Sequence, residues 1–192
     1  HDIAERAQAL GLLNKRSAAV LLHNLPQQTT PFVGREKELE SLVEIFNNPD
    51  VRLLTILAPG GMGKTRLMLE SAERQLSVFT DGVYFVDLDT IESPHELFGV
   101  IGNAIGFRLN NELPQQRQVL DYLADKHMLL LLDNFEHMLD AAVVINQILK
   151  ASPALRIMVT TREKLNLLGE TVYPLLGMVY GEWESVEDAL KT

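Results

Sequence analysis

The residues with the clearest chemistry lie at 58–65: Ala58-Pro59-Gly60-Gly61-Met62-Gly63-Lys64-Thr65. Their spacing is that of a phosphate-binding loop, G-x-x-x-x-G-K-[ST], with Ala58 in place of the first glycine. Such a loop binds anions because successive backbone N–H groups converge on one concavity at the start of a helix. Gly60, Gly61 and Gly63 permit φ > 0 and close backbone approach. Lys64 is placed to reach the β- and γ-phosphates of ATP or ADP, and Thr65 to hold Mg²⁺ through its hydroxyl. Pro59 and Met62 complete the loop, and Arg66 follows on the first helical turn, facing either nucleotide or solvent. Ala58 is the smallest substitute for glycine, so a modest change of φ and ψ is its expected cost. The bland alternative is a glycine turn that carries a lysine by chance. Three glycines followed by Lys-Thr, between an apolar run and a helix, argue against it.

A phosphate loop needs a carboxylate nearby to order the metal. The run MLLLLDN at 128–134 supplies Asp133 at the end of an apolar strand. In open α/β sheets, ligands collect at the carboxyl ends of strands. The competing role for Asp133 is a cap on the following helix. Water activation has no clear owner. Asn134 cannot act as a base. Glu136 is either that base or a first-turn acid favoured by the helix dipole. A later run ends in Val159-Thr160-Thr161-Arg162. Arg162 would read a γ-phosphate there, unless it simply pairs with a neighbour such as Glu163.

These residues need a scaffold, and the hydropathy pattern supplies one. Short apolar runs at 52–57, 82–87, 128–132 and 155–160 read as buried strands, with a fifth at 171–175. Amphipathic stretches at 35–47, 65–76, 94–105, 114–124 and 135–150 read as helices. Alternating strands and helices predict an α/β fold: a mostly parallel five-stranded sheet with helices on both faces. Residues 1–23 read as a separate N-terminal helical segment. Residues 24–31, NLPQQTTP, read as a linker. The nucleotide-binding domain is expected over 32–176. The acidic stretch 177–192 reads as the start of a following region.

Composition narrows the function classes. The chain has 192 residues, enough for one sizeable core, and no cysteine, so disulfides and thiolate metal sites are excluded. Its net charge of −9 argues against direct binding to nucleic acid, which needs a basic face. No apolar run is long enough to span a bilayer. A cytoplasmic location and no membrane partner are expected. The histidines are scattered without metal-ligand spacing.

Four segments together carry a family resemblance: PFVGREKELE at 31–40, APGGMGKTRL at 58–67, LLLLDNFEH at 129–137 and IMVTTRE at 157–163. With VYPL at 172–175 they resemble the STAND class of signal-transduction ATPases. The likeness is to the branch related to NB-ARC and AP-ATPase domains, found in bacterial LuxR/MalT-like multidomain regulators. It covers about residues 31–176. It implies that Val33 packs on the adenine with Arg35 nearby, that Lys64 and Thr65 are the Walker A pair, that Asp133 is the Walker B aspartate, and that Arg162 is the sensor arginine. Asn134 departs from the second Asp of many relatives.

The resulting expectation is an ATP- or ADP-binding regulatory switch with slow or absent hydrolysis. It would work with further domains of its parent chain and self-associate according to nucleotide. A steadily hydrolysing ATPase and a non-hydrolysing scaffold are the alternatives.

Overall fold

The computed structural model describes residues 21–177 except 90 and 92. The expected helix over 1–23 and the following region over 177–192 fall almost entirely outside the described residues. Five strands form one sheet: β1 (Leu53–Leu57), β2 (Val83–Asp87), β3 (Leu129–Asp133), β4 (Arg156–Thr161) and β5 (Glu170–Pro174). Their order is β2-β3-β4-β1-β5, and every pairing is parallel. The helices are α1 (Glu36–Asn47), α2 (Lys64–Glu73), α3 (Leu97–Ala104), α4 (Gln115–Leu123) and α5 (Ala142–Ala151). Among the described residues, no helix is long and apolar enough to cross a membrane.

Strand alternation builds two cores. In β3, Leu129 and Leu131 join Leu54, Ile56 and Met158 on the face covered by α1 and α2. Leu130 and Leu132 join Leu53, Ile157 and Val159 on the face covered by α3, α4 and α5. All five residues of β3 are buried, and its first four, Leu129–Leu132, form a continuous apolar run rather than an alternating one.

The expected helix over 135–150 is broken at its start. Residues 135–137 and 139–141 form two 3₁₀ turns before α5 begins. Phe135, Met138 and Ala141 are buried at a spacing of three, which suits a 3₁₀ repeat rather than 3.6. The expected helix at 94–105 likewise opens with a 3₁₀ turn, Pro94–Glu96, in which Ser93 accepts from the His95 N–H. Residues 21–23, the described end of the expected N-terminal helix, are not helical: His23 bridges Val83 in parallel at the edge of β2. Leu22 O accepts from Val83 N–H, and Asn24 accepts from Phe85 N–H while donating to Phe85 O.

Candidate functional site at the carboxyl edge of the sheet

Strand β4 lies between the strand that feeds the glycine loop and the strand that ends in Asp133. Leu57 pairs with Thr161, and Leu132 with Val159. This register brings the ends of β1, β4 and β3 together at one edge. The Ala58 N–H donates to Thr161 O at 3.2 Å. The Asn134 N–H donates to Thr160 Oγ1 at 3.0 Å, and the Thr160 hydroxyl donates to Asp133. Strand β4 therefore fixes both halves of the site.

Gly61 and Gly63 hold the loop in the left-handed region, at φ 74° and 80°. Gly60 does not share it, contrary to the expectation of three left-handed glycines. Ala58 also keeps an ordinary φ and is 4% exposed, packed with Leu54 and Ile56. The expected backbone cost of replacing the first glycine is absent, because that position never needed φ > 0. Among the described residues, the N–H groups of Gly60 through Arg66 have no backbone acceptor. They are the orphan donors of the α2 N-terminus and the loop before it. Lys64 is 7% exposed, and its Nζ donates to Ala58 O (2.9 Å) and Pro59 O (3.1 Å).

Thr65 Oγ1 stands 2.9 Å from both carboxylate oxygens of Asp133. Asp133 is 3% exposed. Burial pushes its carboxyl above the ordinary aspartate range, the Thr160 and Thr65 hydroxyls pull it back, and the charges of Asp87 and Asp89 add to the rise. Asp87 pairs with Asp133 in the β2–β3 register. Asp133 is not a helix cap. The turn that follows starts at Asn134, whose φ of 61° is left-handed, a conformation Asn tolerates better than most residues.

A hydroxyl and a carboxylate are hard oxygen donors of the kind Mg²⁺ takes. Among the described residues, no group of three or more His, Cys, Asp or Glu could hold a metal. Mg²⁺ commonly uses one or two carboxylates and completes its shell with water and substrate phosphates, and the Thr65 hydroxyl beside the Asp133 carboxylate offers such a donor pair. The residues present fit the group.

Arg162 and Glu136 meet directly. Arg162 Nε is 2.7 Å from Glu136 Oε1, with the arginine side chain 58% exposed and the glutamate 10% exposed. The partner of Arg162 is thus Glu136, not Glu163. Gly60, Lys64, Thr65, Asn134, Glu136 and Arg162 line one cavity of about 380 Å³.

A second cavity, of about 300 Å³, adjoins the loop between Phe32, Val33, Arg35, Met62 and Arg66. Val33 is 81% exposed. Arg35 is left-handed at φ 64°. Its guanidinium donates to Glu38 (3.2 Å), Met62 O (3.1 Å) and Leu176 O (3.0 Å). It ties α1 to the glycine loop and to the chain leaving β5. Arg66 turns to the 24–31 stretch, donating to Gln28 and to Thr30 O and lying 6.0 Å from the Phe32 ring centre.

Two contributors are not singled out by the sequence. Thr160 belongs to the TTR run, but nothing in its spacing says that it bonds Asp133. Asp89 sits in the run Asp87-Leu88-Asp89, whose acidity is visible but whose register against β3 is not.

A parallel α/β sheet with this loop and aspartate at its carboxyl edge defines a P-loop NTPase. The chain belongs to the NB-ARC domain family, whose sequence model matches residues 35–168. An uncharacterized protein of Mycobacterium tuberculosis is 34% identical over 152 residues, covering 79% of this chain and 38% of that protein. A Mycobacterium tuberculosis protein provisionally named as an HTH-type transcriptional regulator is 36% identical over 134 residues, covering 66% of this chain and 14% of that protein. The chain thus spans well under half the length of the curated relatives it matches. Among solved structures, a signal transduction ATPase with numerous domains (STAND) from Pyrococcus horikoshii, with a tetratricopeptide repeat sensor, superposes with a TM-score of 0.51. It is 21% identical, and the match covers 82% of this chain and 25% of that one. At that identity the likeness is one of fold.

Proposed function

We propose that this domain is an ATP/ADP switch in a bacterial signalling protein, with slow or absent hydrolysis. The observation that carries the reading is the 380 Å³ cavity in which the glycine loop faces Glu136 and Arg162 at the sheet's carboxyl edge. In this reading Pro59 through Arg66 form the phosphate cradle, with the free N–H groups of the loop and the Lys64 ammonium on the β- and γ-phosphates. Lys64 trades its two loop carbonyls for phosphate oxygens, a charge-assisted exchange. Thr65 and Asp133 hold Mg²⁺, which neutralises phosphate charge when bound. Val33 offers its exposed side chain to the adenine, and Arg35 holds the loop at Met62.

A switch needs a ligand group that tells two states apart. Arg162 is the residue placed to contact a γ-phosphate that ADP lacks. Slow turnover is supported by Asn134, which follows Asp133 directly and carries no basic group. The transcriptional relative supports an output in gene regulation, delivered through further domains of the parent chain and nucleotide-dependent self-association rather than nucleic-acid binding by this acidic domain.

The test is steady-state turnover of ATP with Mg²⁺ by the chain. We expect rates well below the roughly 10 s⁻¹ median of enzymes, by at least about two orders of magnitude. Brisk multiple turnover would replace the switch with a working ATPase.

A further inference from the structure

Position 60 is a free position in the phosphate-loop pattern, so the motif does not explain its glycine. The backbone does not explain it either, since Gly60 lacks the positive φ of Gly61 and Gly63. A Cβ at this position would stand 3.3 Å from Arg162 Nη2, 3.4 Å from Cζ and 3.7 Å from Nε. A methyl there would ask the exposed guanidinium to give by only a few tenths of an ångström, so these distances mark how closely Arg162 approaches the loop.

Glu136 sets that position. Its Oε1 forms an ion pair with Arg162 Nε at 2.7 Å, and its side chain is nine-tenths buried while the arginine is largely exposed. Glu136 Oε2 is buried and has no partner among the described residues. A buried carboxylate with an unpartnered oxygen needs a compensating charge, and Arg162 provides it. The pair engages only the Nε edge of the guanidinium. The Nη edge stays available over Gly60, and its two nitrogens suit a phosphate in fork geometry.

We propose that Glu136 is a positioning residue that seats Arg162 over Gly60 and thereby sets the preference for a nucleoside triphosphate over a diphosphate. It is not the base that activates water. The proposal rests on the phosphate-site reading above. A ligand gains from the seated arginine only if it carries a γ-phosphate, so the gain appears in the ratio of affinities and not in diphosphate binding alone.

The experiment is calorimetric titration of the chain with ADP and with a non-hydrolysable ATP analogue, both with Mg²⁺. Glu136→Gln is expected to lower the triphosphate-to-diphosphate affinity ratio by about tenfold, the scale of a hydrogen bond to a charged group. Arg162→Ala should lower it at least as far, and Glu136→Gln should add nothing in the Arg162→Ala background. Gly60→Ala gives a second readout of the same ratio, which should fall by less than in Arg162→Ala, because the methyl presses on the guanidinium by only a few tenths of an ångström. An unchanged ratio in Glu136→Gln, with a lowered one in Arg162→Ala, overturns the proposal. An unchanged ratio with loss of single-turnover hydrolysis overturns it in favour of a catalytic base. A Lys64→Ala variant that still binds ADP at full affinity would instead fault the phosphate site itself.

Discussion

At Asp133, burial favours the neutral carboxyl and two hydroxyls only partly offset it. The native pKa lies above the ordinary value, so the native state holds its proton to higher pH than the unfolded chain. Stability therefore falls as pH rises from the ordinary aspartate range through the raised native value, and the penalty is complete above it. Asp133→Asn removes the charge and keeps a group that can both donate to and accept from the threonines. Without Mg²⁺ and nucleotide, it should raise the melting temperature by roughly 2–5 °C at pH 7. The advantage should shrink towards pH 4. Thermal unfolding at the two pH values checks this, and a destabilised variant at pH 7 would mean that the carboxylate is a net structural asset. The same substitution should weaken Mg²⁺-dependent binding, so function and stability pull apart at one residue. Ala58 marks the opposite case. The sequence flags it as an irregularity, yet its ordinary φ and buried methyl fit the core.

Among the elements, the sheet was legible in outline because each strand is a short apolar run with a clear end. All five expected strands are found, each within a residue of its expected bounds. What periodicity does not encode is which strand neighbours which. The placement of β4 between β1 and β3 follows from packing across the whole sheet, and it is what makes Thr160 a partner of Asp133. Periodicity does not reveal the 135–141 turns, because residues spaced by three also fit one face of an α-helix. Prolines and polarity mark 24–31 as a linker and say nothing of a strand edge nearby. Asn24 covers part of that edge through Phe85 N–H (2.6 Å) and Phe85 O (2.8 Å). Asn24→Ala should cost about 1–2 kcal/mol in urea unfolding, because two backbone groups lose partners in a solvent-accessible setting. A change within about 0.3 kcal/mol would show that water replaces both bonds without loss.

For the molecule as a whole, the candidate site joins three separate stretches of chain: the loop after β1, the end of β3 and the end of β4. The sequence identifies each stretch from its own motif, and the parallel sheet brings their ends to one edge. Arg35 adds a physical link from α1 through Met62 to Leu176, where the chain leaves the sheet. All of this depends on the loop holding phosphate, and Lys64 is the residue that bears most directly on it. Calorimetric titration of ADP and of ATP with Mg²⁺ into wild type and Lys64→Ala, with circular dichroism to verify the fold, is the decisive measurement. The variant should bind both nucleotides at least about tenfold more weakly, as expected for losing a charge-assisted contact of 1.5–3 kcal/mol. Equal affinities in a folded variant would contradict the assignment of residues 58–65 as the phosphate-binding loop.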